Sequence, residues 1–455
     1  MRVLLSFFMS MCFFTSLHAA SAPMTLFAYQ NKASSVGSLA DTMADTMAKP
    51  VTINKSLKSV VVGQQMDVEL PNGERISLTV TSKSKRPNRT MVILASGSGD
   101  TRMRLTLGKE ACFGSITQGK LRFSVGFNPD AGQFVVDHQS PEFKSLTLEN
   151  DMRFPPRAEQ TQNSAPADTS AQDIEQGIEQ GIEQGIQQDK EETEKQKAFF
   201  ITADITLLAV YSTEFAAGFG DPVARIQAAV DFTNQALSST GIEAQFRLVA
   251  TQEIDFSSDL GVSTLLDQAT FGTGAFSALP ELRNTVGADM VSVLSFRGDF
   301  VANGVAWVNG DNPDFAFSST RLSPFCCDSV FAHELGHNLG SGHERASVNN
   351  SPAGSCDAGF QPGGFNGFSC GHGVAGNFST IMSRNIGISI DRFSNPNQSC
   401  NGLPCGVPQG QANAADNFTS FTFSSLMIEQ FRPNVFIPNG VIISPILPLL
   451  LDDEE

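Results

Sequence analysis

His333-Glu334-Leu335-Gly336-His337-Asn338-Leu339-Gly340-Ser341-Gly342-His343 is the stretch on which the reading of this 455-residue chain turns. Residues four apart on a helix share a face, about 6 Å apart along the axis, so His333 and His337 can offer two imidazole nitrogens to one ion. Glu334 stands beside them, close enough to hold a water at that ion. Gly340 is where the helix is expected to end, because turning the chain back requires a left-handed residue. The turn would bring His343 round as a third ligand. Three protein ligands leave one position open, which is the arrangement of a catalytic rather than a structural zinc. An ion so held would acidify water and polarise a carbonyl, with Glu334 as the base that moves the proton. Half of the six histidines of the chain fall in these eleven residues, which argues against ordinary surface histidines.

Outward from the motif, the segment before it alternates between strand and helix. Ile205–Tyr211 reads as a strand and Pro222–Ser238 as an amphipathic helix capped by Asp221. Ile242–Val249 reads as a strand, Thr264–Val286 as helical and Met290–Phe296 as a strand. This order implies an α/β (α+β) domain with a mixed sheet flanked by helices. After Ser341 the sequence turns to Gly-, Asn- and Ser-rich loops, with a last helix near Phe418–Phe431.

Residues 156–197 are low in complexity, and Ile174 to Gln187 repeats Ile-Glu-Gln-Gly. Glycine at every fourth position opposes a helix and the apolar content is too small to fold, so a disordered, cleavable linker is expected. Before it, residues 23–155 read as mainly β, with strands expected at Ser59–Val62, Arg75–Thr81, Met91–Ala95, Met103–Thr106, Leu121–Phe127 and Gln133–Val136. The flanks differ in charge: residues 23–154 hold 16 Lys+Arg and 12 Asp+Glu, a net of +4, whereas 198–433 hold 9 Arg and 21 Asp+Glu, a net of −12. A basic unit tethered to an acidic one suits an inhibitory segment lying on its enzyme.

Arg2, the apolar run Val3 to Phe14 and the small residues Ala19 to Ala22 read as a secretory signal over residues 1–22. Seven Cys then remain in an oxidising compartment, six of them between Cys326 and Cys405. Three disulfides are expected there, with the adjacent Cys326 and Cys327 reaching different partners; pairing cannot be chosen from spacing. The formal net charge of −17 speaks against nucleic-acid or anionic-membrane partners. The apolar tail Val441–Leu451, within residues 434–455, is too short and proline-broken to span a bilayer.

With these residues in view, the sequence resembles the metzincin zinc peptidases, whose signature is the same spacing followed by a methionine turn. Ser379-Thr380-Ile381-Met382-Ser383 looks like that turn, which implies Met382 as a hydrophobic floor under the imidazoles. Arg384 stands where astacin- and serralysin-like members carry Tyr, and Phe331-Ala332 and Phe393-Ser394-Asn395-Pro396 look like the adamalysin (reprolysin) branch with its bacterial relatives. Glu344 departs from that branch, which usually has Asp after the third histidine. Leu105-Thr106-Leu107-Gly108 to Phe113-Gly114-Ser115-Ile116 resembles the propeptides of such enzymes. The resemblance implies a secreted zinc endopeptidase made as a zymogen, with one catalytic Zn2+, residues 198–433 as catalytic domain, protein or peptide substrates and its own propeptide as inhibitor. Calcium is left undecided. It further implies that Gly304 and Ala306, in Gly304-Val305-Ala306-Trp307, lie on an edge strand where substrate adds; a buried strand ending in a core Trp is the alternative. Cys112 is a candidate zymogen switch, its thiolate filling the open metal position, against a plain buried thiol. A catalytically silent module that binds proteins and a hydrolase of short amides are the rival functions.

Overall fold

The computed structural model describes residues 23–30, 48–139, 151–155, 202–297, 303–324, 328–345, 356, 367–383, 388–435 and 442–443. The signal, the linker, Arg384, Cys326 and Cys327 and most of the tail lie outside the described residues.

Ten strands of the N-terminal unit form one sheet: Met24–Thr25 (β1), Phe27–Tyr29 (β2), Ala48–Ile53 (β3), Gln65–Glu69 (β4), Arg75–Lys85 (β5), Met91–Ser96 (β6), Thr101–Leu107 (β7), Cys112–Gln118 (β8), Leu121–Asn128 (β9) and Gly132–Asp137 (β10). β4 to β10 follow one another as an antiparallel meander, and β3 returns to pair with β10. Val68, Leu78, Ile93, Met103, Leu105, Ile116 and Val125 fill its core. One expected strand is absent: Lys55–Ser59 is a 3-10 turn opened by the Asn54 side chain, and Val61 and Val62 after it are exposed.

The second unit is built on a mixed sheet. Ala203–Tyr211 (β12) lies centrally, parallel to both Ala244–Glu253 (β13) and Met290–Phe296 (β14). Phe317–Leu322 (β16) runs parallel to β14, and Asn303–Trp307 (β15) antiparallel to β16. Met152–Arg153 (β11), contributed from before the linker, adds to β15 in parallel. Ile442–Ile443 of the tail pairs with β13 at the other edge.

Alternation along β12 sorts the two cores. Ile205, Leu207, Ala209 and Tyr211 pack under Pro222–Thr240 (α2), Asp328–Asn338 (α5) and Asn417–Ile428 (α6). Leu208 and Val210 face the opposite layer of Val262–Phe271 (α3) and Leu279–Val286 (α4). Thr264–Val286 is therefore two helices rather than one. Gly272 and Gly274 take φ of +59° and +60°, which breaks the helix, and Pro280 restarts it. A short helix, Thr213–Phe219 (α1), precedes α2. The cap of α2 is Asp221, whose Oδ1 accepts from the Ala224 amide at 3.2 Å.

The two units meet across α2. Gln227, Asp231 and Gln235 lie four apart on one face of it. Asn88 donates to Gln227 at 2.7 Å, Arg104 to Gln235 at 2.9 Å, and Arg86 and Thr106 both reach Asp231 at 2.9 Å. Arg104 and Arg225 together clasp Asp328 at the start of α5, at 3.1 and 2.6 Å. Arg122 meets Asp391 at 2.6 Å. The charge difference between the units is thus focused into Arg-to-Asp pairs, while Phe113 inserts edge-on against Phe219 in the second unit's core.

Candidate metal centre

Helix α5 carries His333, Glu334 and His337, all buried. Ser341 N donates to Gly336 O and Gly340 N to His337 O, and Gly340 takes φ +94°. This is the turn that ends the helix and swings His343 inward. The His333 Nε2 and His343 Nε2 atoms lie 3.1 Å apart. Nδ1 of His333 donates to the Ile381 carbonyl at 2.7 Å and Nδ1 of His337 to the Ser341 carbonyl at 2.8 Å. Those bonds fix the protons on Nδ1 and leave Nε2 of both rings as lone pairs facing the centre.

Asp151 joins them. Its carboxylate stands 2.7 Å from His343 Nε2, 3.3 Å from His333 Nε2 and 3.8 Å from His337 Nε2, and the residue is 2 % exposed. The four donor atoms all lie within 4.8 Å of one another. A tetrahedral zinc with bonds of about 2.0–2.1 Å separates its ligand atoms by about 3.3 Å, close to the spacing here. Neither oxygen of Asp151, nor Nε2 of His337, has a hydrogen-bond partner. Lone pairs converging in a dry site repel unless a cation lies among them, so the residues present fit a metal ion.

Burial holds His337 below its ordinary pKa and pushes His343 down to about 3, so both stay neutral and able to ligate. Burial works to raise Asp151, but His343 and His333 outweigh it and hold the carboxyl well below its usual range. Glu334 is pushed up, first by burial and then by the charge of Asp151. Its two oxygens are buried without partners.

Two glycines make room for these side chains. A Cβ on Gly304 in β15 would lie 2.4 Å from Glu334 Oε1, so that glycine shapes the seat of the carboxylate. A Cβ on Gly336 would lie 2.3 Å from Met382 Sδ, which places the fully buried Met382 against α5 between His333 and His337. Asn338 donates to the carbonyls of Trp307 and Phe317, each at 2.9 Å, tying the helix to β15 and β16. Ala306 is buried in β15, and its amide donates to Asp151 O at 3.0 Å. β15 would be the sheet's edge without β11; at the same time Trp307 is a core residue, its indole N–H bonded to Thr270 at 2.8 Å. Both descriptions of this strand therefore apply.

Cys112 is elsewhere. It begins β8, packs in the core of the N-terminal sheet, and burial pushes its thiol up to about 12. The acidic ligand among the imidazoles is Asp151 instead, which nothing in its local sequence marks. Cys356 pairs with Cys370 and Cys400 with Cys405, so neither Cys326 nor Cys327 reaches any of these four. Glu344 is buried beside the third histidine, while His343 Nδ1 has no hydrogen-bond partner among the described residues.

A mixed sheet with three imidazoles and a carboxylate gathered by one helix and its return turn defines a metallopeptidase-type metal centre. Residues 202–394 match the reprolysin-like family model described as metallo-peptidase family M12, and this part of the chain belongs to that family. The peptidyl-Asp metalloendopeptidase of Pseudomonas aeruginosa is 28 % identical over 260 residues, 51 % of this chain and 40 % of that protein. The chain thus spans about two-fifths of the length of that curated relative. Metalloproteinase-II from Bacteroides fragilis aligns with a TM-score of 0.35 at 13 % identity, over 62 % of this chain and 81 % of that one. A chain in a structure titled as a chaperone-substrate complex aligns with a TM-score of 0.39 at 18 % identity, over 51 % and 36 % of the two.

Proposed function

We propose that this chain is a secreted, zinc-dependent endopeptidase made in latent form, with residues 23–155 as its inhibitory propeptide. The observation that carries the reading is Glu334: a buried carboxylate next to His333, facing the donor cluster and hydrogen-bonded to nothing. A silent binding module has no need of a base held at that cost. The metal, held by His333, His337 and His343, would supply an acidified water and a polarised carbonyl. Glu334 takes the proton of the attacking water at its carboxylate and passes it to the leaving amine. Removal of Asp151 lowers the proton affinity of Glu334, because one of the two causes of its raised pKa is gone. β15 offers backbone groups to an extended peptide once β11 has left. Secretion rests on the N-terminal signal pattern, and latency on the docking of the N-terminal unit over α2 and the donor cluster.

The test is hydrolysis of casein and of quenched peptides by the activated protein, abolished by a chelator and by Glu334→Gln. The loss expected for the variant is about 10²–10⁴-fold with its metal content unchanged. Peptides with Asp beside the scissile bond are the first to assay, given the name of the Pseudomonas relative. No turnover on a broad peptide library would favour the binding module, and turnover of short amides alone would favour a small-substrate hydrolase.

A further inference from the structure

We propose that Asp151 is the fourth ligand of the metal in the latent chain, delivered by a strand that fills the peptide-binding edge of β15. The proposal rests on the metallopeptidase reading above and assigns its regulation. Three backbone and side-chain anchors set the carboxylate in place. The Ala306 amide donates to Asp151 O at 3.0 Å, the Val308 amide donates to Arg153 O at 2.6 Å, and Arg153 pairs with Asp267 while its guanidinium lies 5.9 Å from the Trp307 ring. Asp151, two residues from that clamp, is thereby held over the imidazoles with both oxygens dry and without donors. A buried carboxylate without hydrogen bonds, against two nitrogens that carry no proton, is stable only if a cation neutralises it. Three imidazoles and one carboxylate complete a four-coordinate zinc and leave no position for water or substrate.

The placement also determines what activation requires. Asp151 precedes the low-complexity residues 156–197 in the chain. A cut among those residues leaves the latch attached to a unit still held by Arg86–Asp231, Arg104–Asp328 and Arg122–Asp391. Scission alone is therefore insufficient, and the N-terminal unit has to be degraded or displaced before the metal opens.

The test uses full-length chain loaded with cobalt and acetohydroxamate as a metal-directed probe, read by the visible spectrum of the metal rather than by turnover. If the latch leaves no more than about 1 % of wild-type chains open, hydroxamate binds them about 100-fold more weakly than it binds Asp151→Ala. Arg153→Ala, which keeps the carboxylate but frees one anchor, is expected to fall between, and Cys112→Ser to match wild type. Wild-type chain whose cobalt spectrum responds to hydroxamate as readily as that of Asp151→Ala overturns the proposal. Should Asp151→Ala fail to fold, intact wild type compared with wild type stripped of its N-terminal unit by limited proteolysis gives the same answer. A closed wild type and an opened Asp151→Ala that hydrolyses no peptide would leave the latch standing and refute the peptidase reading. An open, peptide-cleaving wild type would do the reverse.

Discussion

Gly304→Ala separates the chemistry of Glu334 from the stability of the fold. The added methyl would sit 2.4 Å from Glu334 Oε1 and 2.6 Å from its Cδ and Cγ. Relief to ordinary contact requires the carboxylate to move by about 1 Å, because carbon and oxygen pack no closer than about 3.4 Å. The obstacle is the end of a side chain, so the fold yields at an overpacking cost of about 1–3 kcal/mol. The base cannot yield as cheaply. A displacement of about 1 Å at a reacting group costs on the order of 10²-fold in rate, equivalent to about 2.7 kcal/mol of barrier. The assay is kcat and KM of the activated enzyme on a quenched peptide, with metal content and thermal unfolding measured on the same sample. The expected pattern is kcat down about 100-fold, one metal retained and a modest fall in melting temperature. Unchanged kcat would refute the placement of Glu334 against β15, and loss of metal would mean that the clash falls on the imidazoles instead.

Gly336→Ala presses on Met382 Sδ, so weakened metal retention against a graded chelator is expected, with secondary structure preserved by circular dichroism. Asp328→Asn leaves Arg104, buried at 2 % side-chain exposure, short of its counter-charge and should destabilise the full chain by about 3 kcal/mol in a urea titration. The Cys112 thiol, pushed from 9.0 to about 12 by burial, keeps its proton in the folded state while the unfolded chain releases it. Its contribution is complete below pH 9 and is lost as the pH climbs toward 12, about 1.4 kcal/mol by pH 10. Comparing wild type with Cys112→Ala between pH 8 and 10 reads that difference, and equal slopes would contradict the burial of the thiol.

What the sequence displays is local. His333, Glu334 and His337 share a helix face, and Gly340 returns the chain to His343, so spacing within eleven residues suffices to foretell where the donors meet. The strands that β12 and β14 became were legible because both faces are buried and the apolar runs are continuous. Asp151 was not legible, because it lies 182 residues before His333 and reaches the site only through the pairing of β11 with β15. Cys112 drew attention as the lone thiol of its unit, and burial in the sheet core, a tertiary property, decides against it. Gly304 and Gly336 matter for the side chains they leave room for, and no spacing rule encodes an absent methyl.

X-ray absorption at the metal edge of purified full-length chain reads the donor set itself. Three imidazole nitrogens and one carboxylate oxygen at about 2.0–2.2 Å, lost to three nitrogens and a water in Asp151→Ala, is the predicted result. A sulfur at about 2.3 Å, or chains that hold no metal and accept none, would contradict it.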